Sequence, residues 1–246
     1  SATSCKLAKA VFDKIGGMRV SKKLPGQTAG RVFEKVCSEF LRDSAVHLSH
    51  LRFGEFDYLI DDCDIANFEQ FEHLKALRKF AKDTPELAAT LSNDYVIKPD
   101  IMIARKPVAD EIINSASSLV DEHIARRTPF RQVNQPKQSL HASISCKWTM
   151  RSDRAQNARS EALNLIRNRK GRVPHISVIV AEPLPSRIAS LALGTGDVDC
   201  VYHFALTELL ESARTSGDEE ALNLLDLMID GNRLKDISDL PFDLLL

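Results

Sequence analysis

The sequence lacks the paired cysteines and the short motifs that identify several large classes of protein. Its five cysteines are widely spaced and contain no CxxC pair, which argues against a disulfide framework or a zinc site and favours a reducing, cytosolic setting. They are Cys5, Cys37, Cys63, Cys146 and Cys200. The chain also has no HExxH motif and no GxxxxGK[ST] motif, so neither zinc-protease nor P-loop chemistry is expected.

Long hydrophobic runs and sequence repeats are absent as well. No stretch of about 18 apolar residues occurs, so no membrane span is expected, and the first residues do not resemble a signal peptide. Gly194-Thr-Gly196 lacks the third glycine of a dinucleotide-binding turn. Ser145 has no histidine at a spacing that suggests a serine hydrolase. With 43% hydrophobic and 27% charged residues, the chain has the composition of a soluble globular protein.

Charge is nearly balanced over the whole chain but not along it. The net charge is −1, yet the segment from Lys147 to Arg172 holds eight Lys or Arg against Asp153 and Glu161, a local charge of +6. A basic segment in a neutral protein indicates a surface that binds a polyanion. The alternative is a solvated helix face with no ligand.

Hydrophobic spacing predicts several helices. Apolar residues at helical spacing indicate amphipathic helices over about 30–50 and 65–81. Thr84-Pro85-Glu86 carries the start signals of a short helix that reaches Leu91. Further helices are predicted at 109–113, 201–213 and 218–230, the last one stopped by Gly231, while 119–124 fits either a strand or a helix.

Three segments are predicted to be strands. Residues 95–104 are rich in β-forming side chains, and because proline cannot donate a ladder hydrogen bond, Pro99 and Asp100 are expected at a strand start or bulge. Residues 142–148 alternate, with Ser145 and Lys147 on the face opposite the apolar side chains. Residues 175–181 form a buried strand. The pattern predicts one α/β or α+β domain over 1–246, a small mixed sheet flanked by helices.

A helix is predicted directly after the strand that carries Lys147. Ser152 or Asp153 is expected to cap its start, and Gly171 to end it. Its apolar stripe consists of Ala155, Ala158, Ala162, Leu165 and Ile166. Glu161 borders that stripe, so this carboxylate is expected near the buried side of the helix.

Asp100, Lys147 and Glu161 have the chemistry of a metal-dependent phosphodiesterase. Carboxylates hold Mg²⁺, which needs oxygen ligands and activates bound water, and a lysine beside them orients the water and neutralises phosphate charge. Each residue alone has an ordinary explanation: a turn aspartate, a solvated lysine at a strand edge, or a glutamate paired with arginine. Their order and structural context favour the functional interpretation.

The charged residues at the predicted helix start suit DNA recognition. A helix N-terminus attracts anions, arginine binds guanine O6 and N7, and aspartate accepts from cytosine N4. Arg151, Asp153 and Arg154 in one helix turn therefore suit a G·C-rich site. The alternative is a capping aspartate among surface arginines.

These motifs together resemble the NgoMIV family of CCGG-cutting type II restriction endonucleases. That family consists of PD-(D/E)xK nucleases in which the last acidic residue has moved onto a helix. The resemblance covers most of the chain. It is carried by LPGQT (24–28), FEKVCSEF (33–40), NDYVIKPDI (93–101), HASISCKWT (141–149), RSDRAQNARSE (151–161), RNRKGR (167–172), PSRI (185–188), ALGTG (192–196), DCVYHFAL (199–206) and LKDISDLP (234–241).

The resemblance implies an α/β restriction-endonuclease-like domain and Mg²⁺-dependent double-strand cleavage at GCCGGC after the first G, with two Mg²⁺ per active site. It implies that Asp100 binds metal, that Lys147 contacts the scissile phosphate and the attacking water, and that Glu161 and Glu34 complete the acidic shell. The Cys146 carbonyl would be a further ligand. Ser145 would occupy the strand position where a second acidic residue usually lies.

The family also implies which residues read DNA and how subunits assemble. Arg151, Asp153 and Arg154 would read CCGG in the major groove, Gln27 would reach the minor groove, and Arg187 would help to read the outer G·C pair. Two homodimers would form a homotetramer that handles two DNA sites. The setting would be the bacterial cytoplasm, with a methyltransferase that acts on the same sequence.

One departure from the family affects the outer base pair. The family has a longer N-terminal segment with an acidic contact to that pair, and this sequence begins after it. Recognition of CCGG is therefore better supported than recognition of six bases. Two other classes remain alternatives. One is a DNA-binding protein that does not cut, which the Asp100/Lys147/Glu161 set disfavours. The other is a repair or RNA nuclease, disfavoured because A-form RNA hides its major groove.

Overall fold

A single six-stranded sheet forms the centre of the computed structural model, which describes residues 2–17, 24–60, 64–84, 97–194 and 196–246. The strands are β1 (Phe56–Ile60), β2 (Ile101–Arg105), β3 (Ser139–Lys147), β4 (His175–Val180), β5 (Cys200–His203) and β6 (Leu234–Asp236). They lie side by side in chain order. The first two pairings are antiparallel and the other three are parallel, so the sheet is mixed, as predicted.

Helices cover both faces of this sheet. They are α1 (Ala2–Ile15), α2 (Gly26–His47), α3 (His73–Asp83), α4 (Asp110–Ile113), α5 (Ser152–Asn168), α6 (Pro185–Ala192), α7 (Leu206–Ser216), α8 (Glu219–Asp230) and α9 (Leu240–Asp243). Short 3₁₀ turns occupy Ser49–Leu51, Ile65–Asn67, Glu69–Phe71 and Ile237–Asp239. None of the described helices is both long enough and apolar enough to cross a bilayer.

Two hydrophobic cores hold the layers together. The larger core packs one sheet face against α1, α3 and α5 to α8, and includes the predicted stripe of Ala155, Ala158, Ala162 and Leu165. The smaller core packs the other face against α2 and α9 through Phe33, Cys37 and Leu41. Because helices cover both faces, β3 and β4 are buried on both sides. The α/β expectation is therefore confirmed.

Strand register brings two distant segments of the chain together. In the antiparallel pair, Ile101 of β2 lies opposite Ile144 of β3. Asp100, which directly precedes β2, therefore lies beside the last residues of β3. Pro99 and Asp100 precede the strand, as predicted, because the ladder begins only at Ile101.

Three element predictions were wrong. Residues 201–213 do not form one helix: β5 takes Cys200–His203 and α7 begins at Leu206, since a short apolar run fits a buried strand as well as a helix. Residues 65–81 form two 3₁₀ turns before α3, because Phe68 is extended. Residues 119–124 form neither a helix nor a strand.

Helix boundaries account for the other differences. α5 begins at Ser152 with Arg151 at the N-cap and no side-chain cap, so neither Ser152 nor Asp153 caps it. The helix ends at Asn168, and Gly171 lies in the following turn at φ 77°. The helix from 218 is confirmed, since the Asp218 side chain accepts from the Ala221 N–H. Most of the predicted helix at 84–91 and the start of the strand at 95 lie outside the described residues.

Candidate active site

The carboxyl end of β3 carries a lysine that is tied to an aspartate from the next strand. Oδ2 of Asp100 accepts a hydrogen bond from the backbone N–H of Cys146 at 2.6 Å and one from Nζ of Lys147 at 3.0 Å. Both side chains are about four-fifths buried, with 22% and 18% of their surface exposed. The β2–β3 register thus predetermines this ion pair, and it leaves Oδ1 of Asp100 without a hydrogen bond from the described residues.

Helix α5 brings a second carboxylate to the same strand end. Oε2 of Glu161 accepts a hydrogen bond from the hydroxyl of Ser145 at 3.2 Å. Ser145 and Lys147 project to the same side of β3 because side chains two residues apart share a face. The predicted trio of Asp100, Lys147 and Glu161 is therefore brought together, with Ser145 as the link to α5.

The charges of this cluster perturb one another. Burial lowers the pKa of Lys147, but the carboxylates of Asp100 and Glu161 outweigh it, so the net pKa of the lysine is raised. Burial, helped by the charge of Asp100, raises the pKa of Glu161 against the opposing effects of Lys147 and Ser145. Lys147 thus holds its proton firmly, whereas Glu161 holds one more readily than an exposed glutamate does.

A cavity of about 560 Å³ opens beside Lys147 and Glu161, whereas Asp100 and Ser145 lie behind its wall and do not line it. It lies at the sheet end between α2 and α5, and its wall includes Cys146, Lys147 and Glu161 on one side and Glu34 and Gln27 of α2 on the other. Glu34 and Glu161 approach the cavity from opposite faces of the sheet. The cavity is therefore the place where a ligand touches most of the predicted catalytic residues at once.

The donor set fits a hard divalent cation with an incomplete protein shell. Among the described residues, no three His, Cys, Asp or Glu side chains are grouped closely enough to hold an ion by themselves. Oδ1 of Asp100 and Oε1 of Glu161 accept no hydrogen bond from the described residues. The thiol of Cys146 is buried, and its pKa is raised by its hydrogen bond with Cys37 and by burial. Mg²⁺ is typically held by one or two carboxylates plus water and phosphate, so the residues fit that ion.

A second cavity, of about 530 Å³, joins three of the predicted DNA contacts. Arg151 and Asp153 from the start of α5 line it together with Arg187 of α6. Arg151 and Asp153 are exposed. The structure therefore groups the residue predicted to read the outer base pair with two of the three predicted to read the centre.

Arg154 and Gln27 lie elsewhere. Nη1 of Arg154 donates to the carbonyl and hydroxyl oxygens of Thr149, at 3.0 and 2.6 Å, and the side chain lines the catalytic cavity rather than the second one. Gln27, at the exposed start of α2, lines that same cavity. The residues predicted to contact DNA bases are thus divided between two adjacent cavities.

Glu182 is a buried acidic residue whose role the sequence analysis missed. Its side chain is 1% exposed, and it accepts from the N–H of Met150 at 2.8 Å and of Leu184 at 3.2 Å. Both its oxygens lie 3.4 Å from Nη1 of Arg187. Glu182 therefore links the turn before α5 to the arginine on α6. Its sequence signal was a carboxylate directly after a buried strand that pairs with β3.

The basic run from Lys147 to Arg172 does not form one surface. Arg159 donates to the carbonyls of Ser190, Leu191 and Leu193, so it ties α5 to the end of α6. Lys170 and Arg172 line a third cavity near the opposite end of β3. The expectation of a single polyanion-binding face was wrong, because a 17-residue helix distributes its charges around its axis and along its length.

The fold and this cavity define a nuclease of the α/β restriction-endonuclease class. A family model described as NgoMIV restriction enzyme matches residues 1–246. The type II restriction enzyme NgoMIV of Neisseria gonorrhoeae is 53% identical over 245 residues, which are 98% of this chain and 86% of that protein. The chain belongs to the NgoMIV restriction enzyme family and is a type II restriction enzyme, a site-specific deoxyribonuclease.

A solved structure of the type IIF restriction endonuclease Bse634I with cognate DNA also matches. Its TM-score is 0.46 at 16% identity, over 85% of this chain and 81% of that one. Type II restriction endonucleases, the class to which this chain belongs, generally use divalent metal ions.

Proposed function

We propose that this enzyme cuts both strands of DNA at GCCGGC, after the first G, with Mg²⁺ as its metal. The observation that carries the proposal is the position of Lys147, held between Asp100 and Glu161 at the wall of a cavity large enough for a phosphodiester. The 53% identity to NgoMIV supports the choice of DNA sequence, since DNA specificity depends on a few side chains.

Lys147 acts as a fixed cation rather than as a base. Its raised pKa keeps it protonated near neutral pH, so it does not take a proton from water. Two of its three N–H groups remain after the bond to Asp100, and these are available to the scissile phosphate and to the attacking water. The lysine thus neutralises phosphate charge and orients the nucleophile.

The carboxylates and one carbonyl supply the metal site. Asp100, Glu161 and the Cys146 carbonyl would hold Mg²⁺, two ions per active site, with Glu34 acting partly through water and Ser145 fixing Glu161. Mg²⁺, when bound, supplies a Lewis acid for phosphate oxygens and lowers the pKa of coordinated water. The raised pKa of Glu161 predicts that this site weakens in mild acid.

DNA reading is assigned to the two cavities next to the start of α5. Arg151, Asp153 and Arg154 read the central CCGG, since arginine pairs with guanine and aspartate accepts from cytosine. Gln27 reaches the minor groove. Arg187 reads the outer G·C pair, held in place by Glu182.

The twofold symmetry of the proposed DNA sequence supports a dimeric cutting unit. A palindrome with two scissile phosphates requires one active site per strand, so the unit that cuts is a homodimer, and we propose that two such dimers form a homotetramer engaging two sites. The enzyme would work in the bacterial cytoplasm, beside a methyltransferase that protects the same sequence.

The experiment is digestion of plasmids with zero, one or two GCCGGC sites, in Mg²⁺ and in EDTA, with sequencing of the cut ends. Mg²⁺-dependent cutting after the first G, fastest on the two-site plasmid, is expected. Cutting at every CCGG would show that the outer pair is not read. Specific binding without any cutting would contradict the nuclease mechanism, and equal rates on one and two sites would contradict the tetramer.

A further inference from the structure

The third cavity is a basic pocket at the end of β3 far from the active site. Its volume is about 520 Å³, and five cationic side chains line it. One of them, Lys106, is ion-paired with Glu55 and Asp57. The other four define the basic pocket: Arg105, Arg127, Lys170 and Arg172. Leu140 of β3 lies at its floor, whereas Lys147 ends the same strand. At about 3.3 Å per residue, the pocket lies on the order of 20 Å from the catalytic lysine.

The four cations lack acidic partners. Within the described part of the chain, none of the four forms an ion pair. Glu69, the one carboxylate in the wall, already accepts from the Ser139 hydroxyl at 3.3 Å. Glu72, which is near Lys170, is bonded to Lys137. The pocket therefore has an excess of positive charge, which the single carboxylate in its wall, Glu69, offsets only in part.

Burial lowers the pKa of two groups that line the pocket, and neighbouring cations lower it further. Burial, with the nearby charge of Arg172, lowers the pKa of Arg105. Burial, and to a smaller extent His175, Arg52 and Arg172, lowers the pKa of His141 to about 4. The Nε–H of Arg105 is buried and has no hydrogen-bond partner among the described residues. An anion in the pocket would offset both the repulsion and the missing hydrogen bond.

The side chains of the pocket wall favour a charged ligand over an aromatic one. Phe130 is the aromatic side chain in the wall besides His141. Phe53 already stacks on it at 5.5 Å, and the guanidinium of Arg105 lies 4.8 Å from its centre. The ring is therefore engaged by two of the protein's own side chains. Three arginines and a lysine instead match the oxygens of phosphate groups.

We propose that the basic pocket binds a ligand with two adjacent phosphate groups, either a free diphosphate or two consecutive phosphates of a nucleic-acid backbone. The four unpaired cations and the single carboxylate of Glu69 leave a net charge of +3 (4 − 1) in the wall, which one phosphate group does not neutralise. A second adjacent phosphate brings the pocket closer to neutrality. The site is separate from the catalytic cavity and does not depend on the proposed cleavage sequence.

The test is an isothermal calorimetric titration of the metal-free enzyme with inorganic pyrophosphate in EDTA. Sodium sulfate at equal ionic strength is the control anion. Wild type is expected to bind pyrophosphate saturably and more tightly than sulfate. Arg172→Gln and Lys170→Gln each remove one charge-assisted contact, so each should weaken binding by about tenfold or more. Both side chains are exposed, so the fold is expected to survive both changes.

Two further variants locate the bound pyrophosphate. Arg154→Gln removes a cation from the catalytic cavity, and Lys35→Gln removes one from the exposed face of α2. Neither should change the affinity. Loss of binding in Arg154→Gln with retention in Arg172→Gln would place the anion in the catalytic cavity and overturn the proposal. Absence of saturable binding, or equal losses in all four variants, would overturn it as well.

DNA duplexes distinguish the two sources of phosphate. One duplex carries little more than GCCGGC, and the other extends about 15 base pairs on either side. If the backbone is the natural ligand, Arg172→Gln weakens binding of the long duplex but not of the short one. If a free diphosphate is the ligand, both duplexes bind as they do to wild type.

Discussion

The proposed catalytic cluster and the proposed DNA-reading surface lie at opposite ends of the turn that follows β3, and they are built differently. Asp100 and Lys147 are about four-fifths buried and bonded to each other. Arg151 and Asp153, a few residues later, are exposed, and no side-chain cap holds the start of α5. In the proposed function, the catalytic groups are therefore positioned by the strand register before DNA binds, whereas the exposed side chains of Arg151 and Asp153 are available to bases.

Arg187 is intermediate between the buried Asp100–Lys147 pair and the exposed residues at the start of α5. Its guanidinium is part-exposed toward the reading cavity, yet the buried carboxylate of Glu182 holds it from behind. The same carboxylate binds the N–H of Met150 in the turn that leads to α5. A single buried residue thus gives part of the reading surface the rigidity that the catalytic cluster obtains from the sheet.

The largest expected effect is on the catalytic side. Lys147→Ala and Asp100→Ala should each lower the cleavage rate by about 10³-fold or more, because charge on the scissile phosphate is then less neutralised or the metal is lost. Steady-state cleavage of a GCCGGC duplex measures this. Lys235→Ala breaks a Lys–Asp pair of similar length at the other side of the sheet, at 2.7 Å, and is the matched control. Substantial cutting by Lys147→Ala would contradict the catalytic assignment.

Acid should destabilise the structure that supports the reading side. His203 is buried beneath Glu182: its Nε2 donates to the Glu182 carbonyl and its Nδ1 accepts from the Ala205 N–H. Burial lowers the pKa of His203 to about 4 from 6.5, so its contribution is complete above pH 6.5 and is lost as the pH falls towards 4. The expected loss of unfolding free energy is about 3 kcal/mol.

Urea unfolding at intervals between pH 7 and pH 4 measures that loss. His203→Gln should reduce the pH dependence by the His203 share, because the part that comes from His141, whose pKa burial also lowers to about 4, remains. His50→Gln, at an exposed position, should leave the dependence as in wild type. If both variants follow the wild-type curve, another group is responsible for the acid sensitivity.

The next largest effect is expected for Asp153 on the proposed DNA-reading surface. Asp153→Ala should reduce discrimination at the cytosine that it reads by about 1–3 kcal/mol, with little effect on stability, since its side chain makes no capping bond. Competitive cleavage of GCCGGC and singly substituted duplexes gives this value. Asp226→Ala changes the same charge on the exposed side of α8 and serves as the control. Equal weakening on all sequences would mark Asp153 as a structural residue.

The smallest expected effect concerns the support for Arg187. Glu182→Gln keeps the shape but removes the charge, so discrimination at the outer base pair should fall by about 1 kcal/mol while inner discrimination is retained. The ratio of kcat/KM on GCCGGC to that on ACCGGT measures it. Glu220→Gln, an exposed change on α8, is the control. An unchanged ratio would remove Glu182 from the reading mechanism.

The local sequence predicted the catalytic cluster better than it predicted the rest of the site. The alternation in β3 gave the shared side of Ser145 and Lys147, and the helical stripe gave the position of Glu161, because both are periodic. The pairing of Asp100 with β3 depends on strand register, which the chain order alone does not encode. The single-domain assignment and the roles of the site residues stay predictions.

Long-range contacts explain which features the sequence analysis missed or misassigned. Glu182 acquires its role only when β4 lies beside β3, which brings Met150 and Arg187 to it. The basic run looked like one surface because charge was counted along the chain, whereas α5 directs Arg159 inward to α6 and carries Lys170 to the far end of the sheet. The segment 201–213 was misassigned because burial in a sheet and in a helix give similar short apolar runs.

The separation of chemistry from reading is tested most directly by measuring the DNA binding of Lys147→Ala. A gel-shift titration compares a GCCGGC duplex with a GGCGCC duplex of the same composition, in Ca²⁺ to prevent cleavage by wild type. We expect Lys147→Ala to bind GCCGGC with the wild-type preference over GGCGCC, because the reading residues are held by other elements. Loss of that preference together with cleavage would contradict the account.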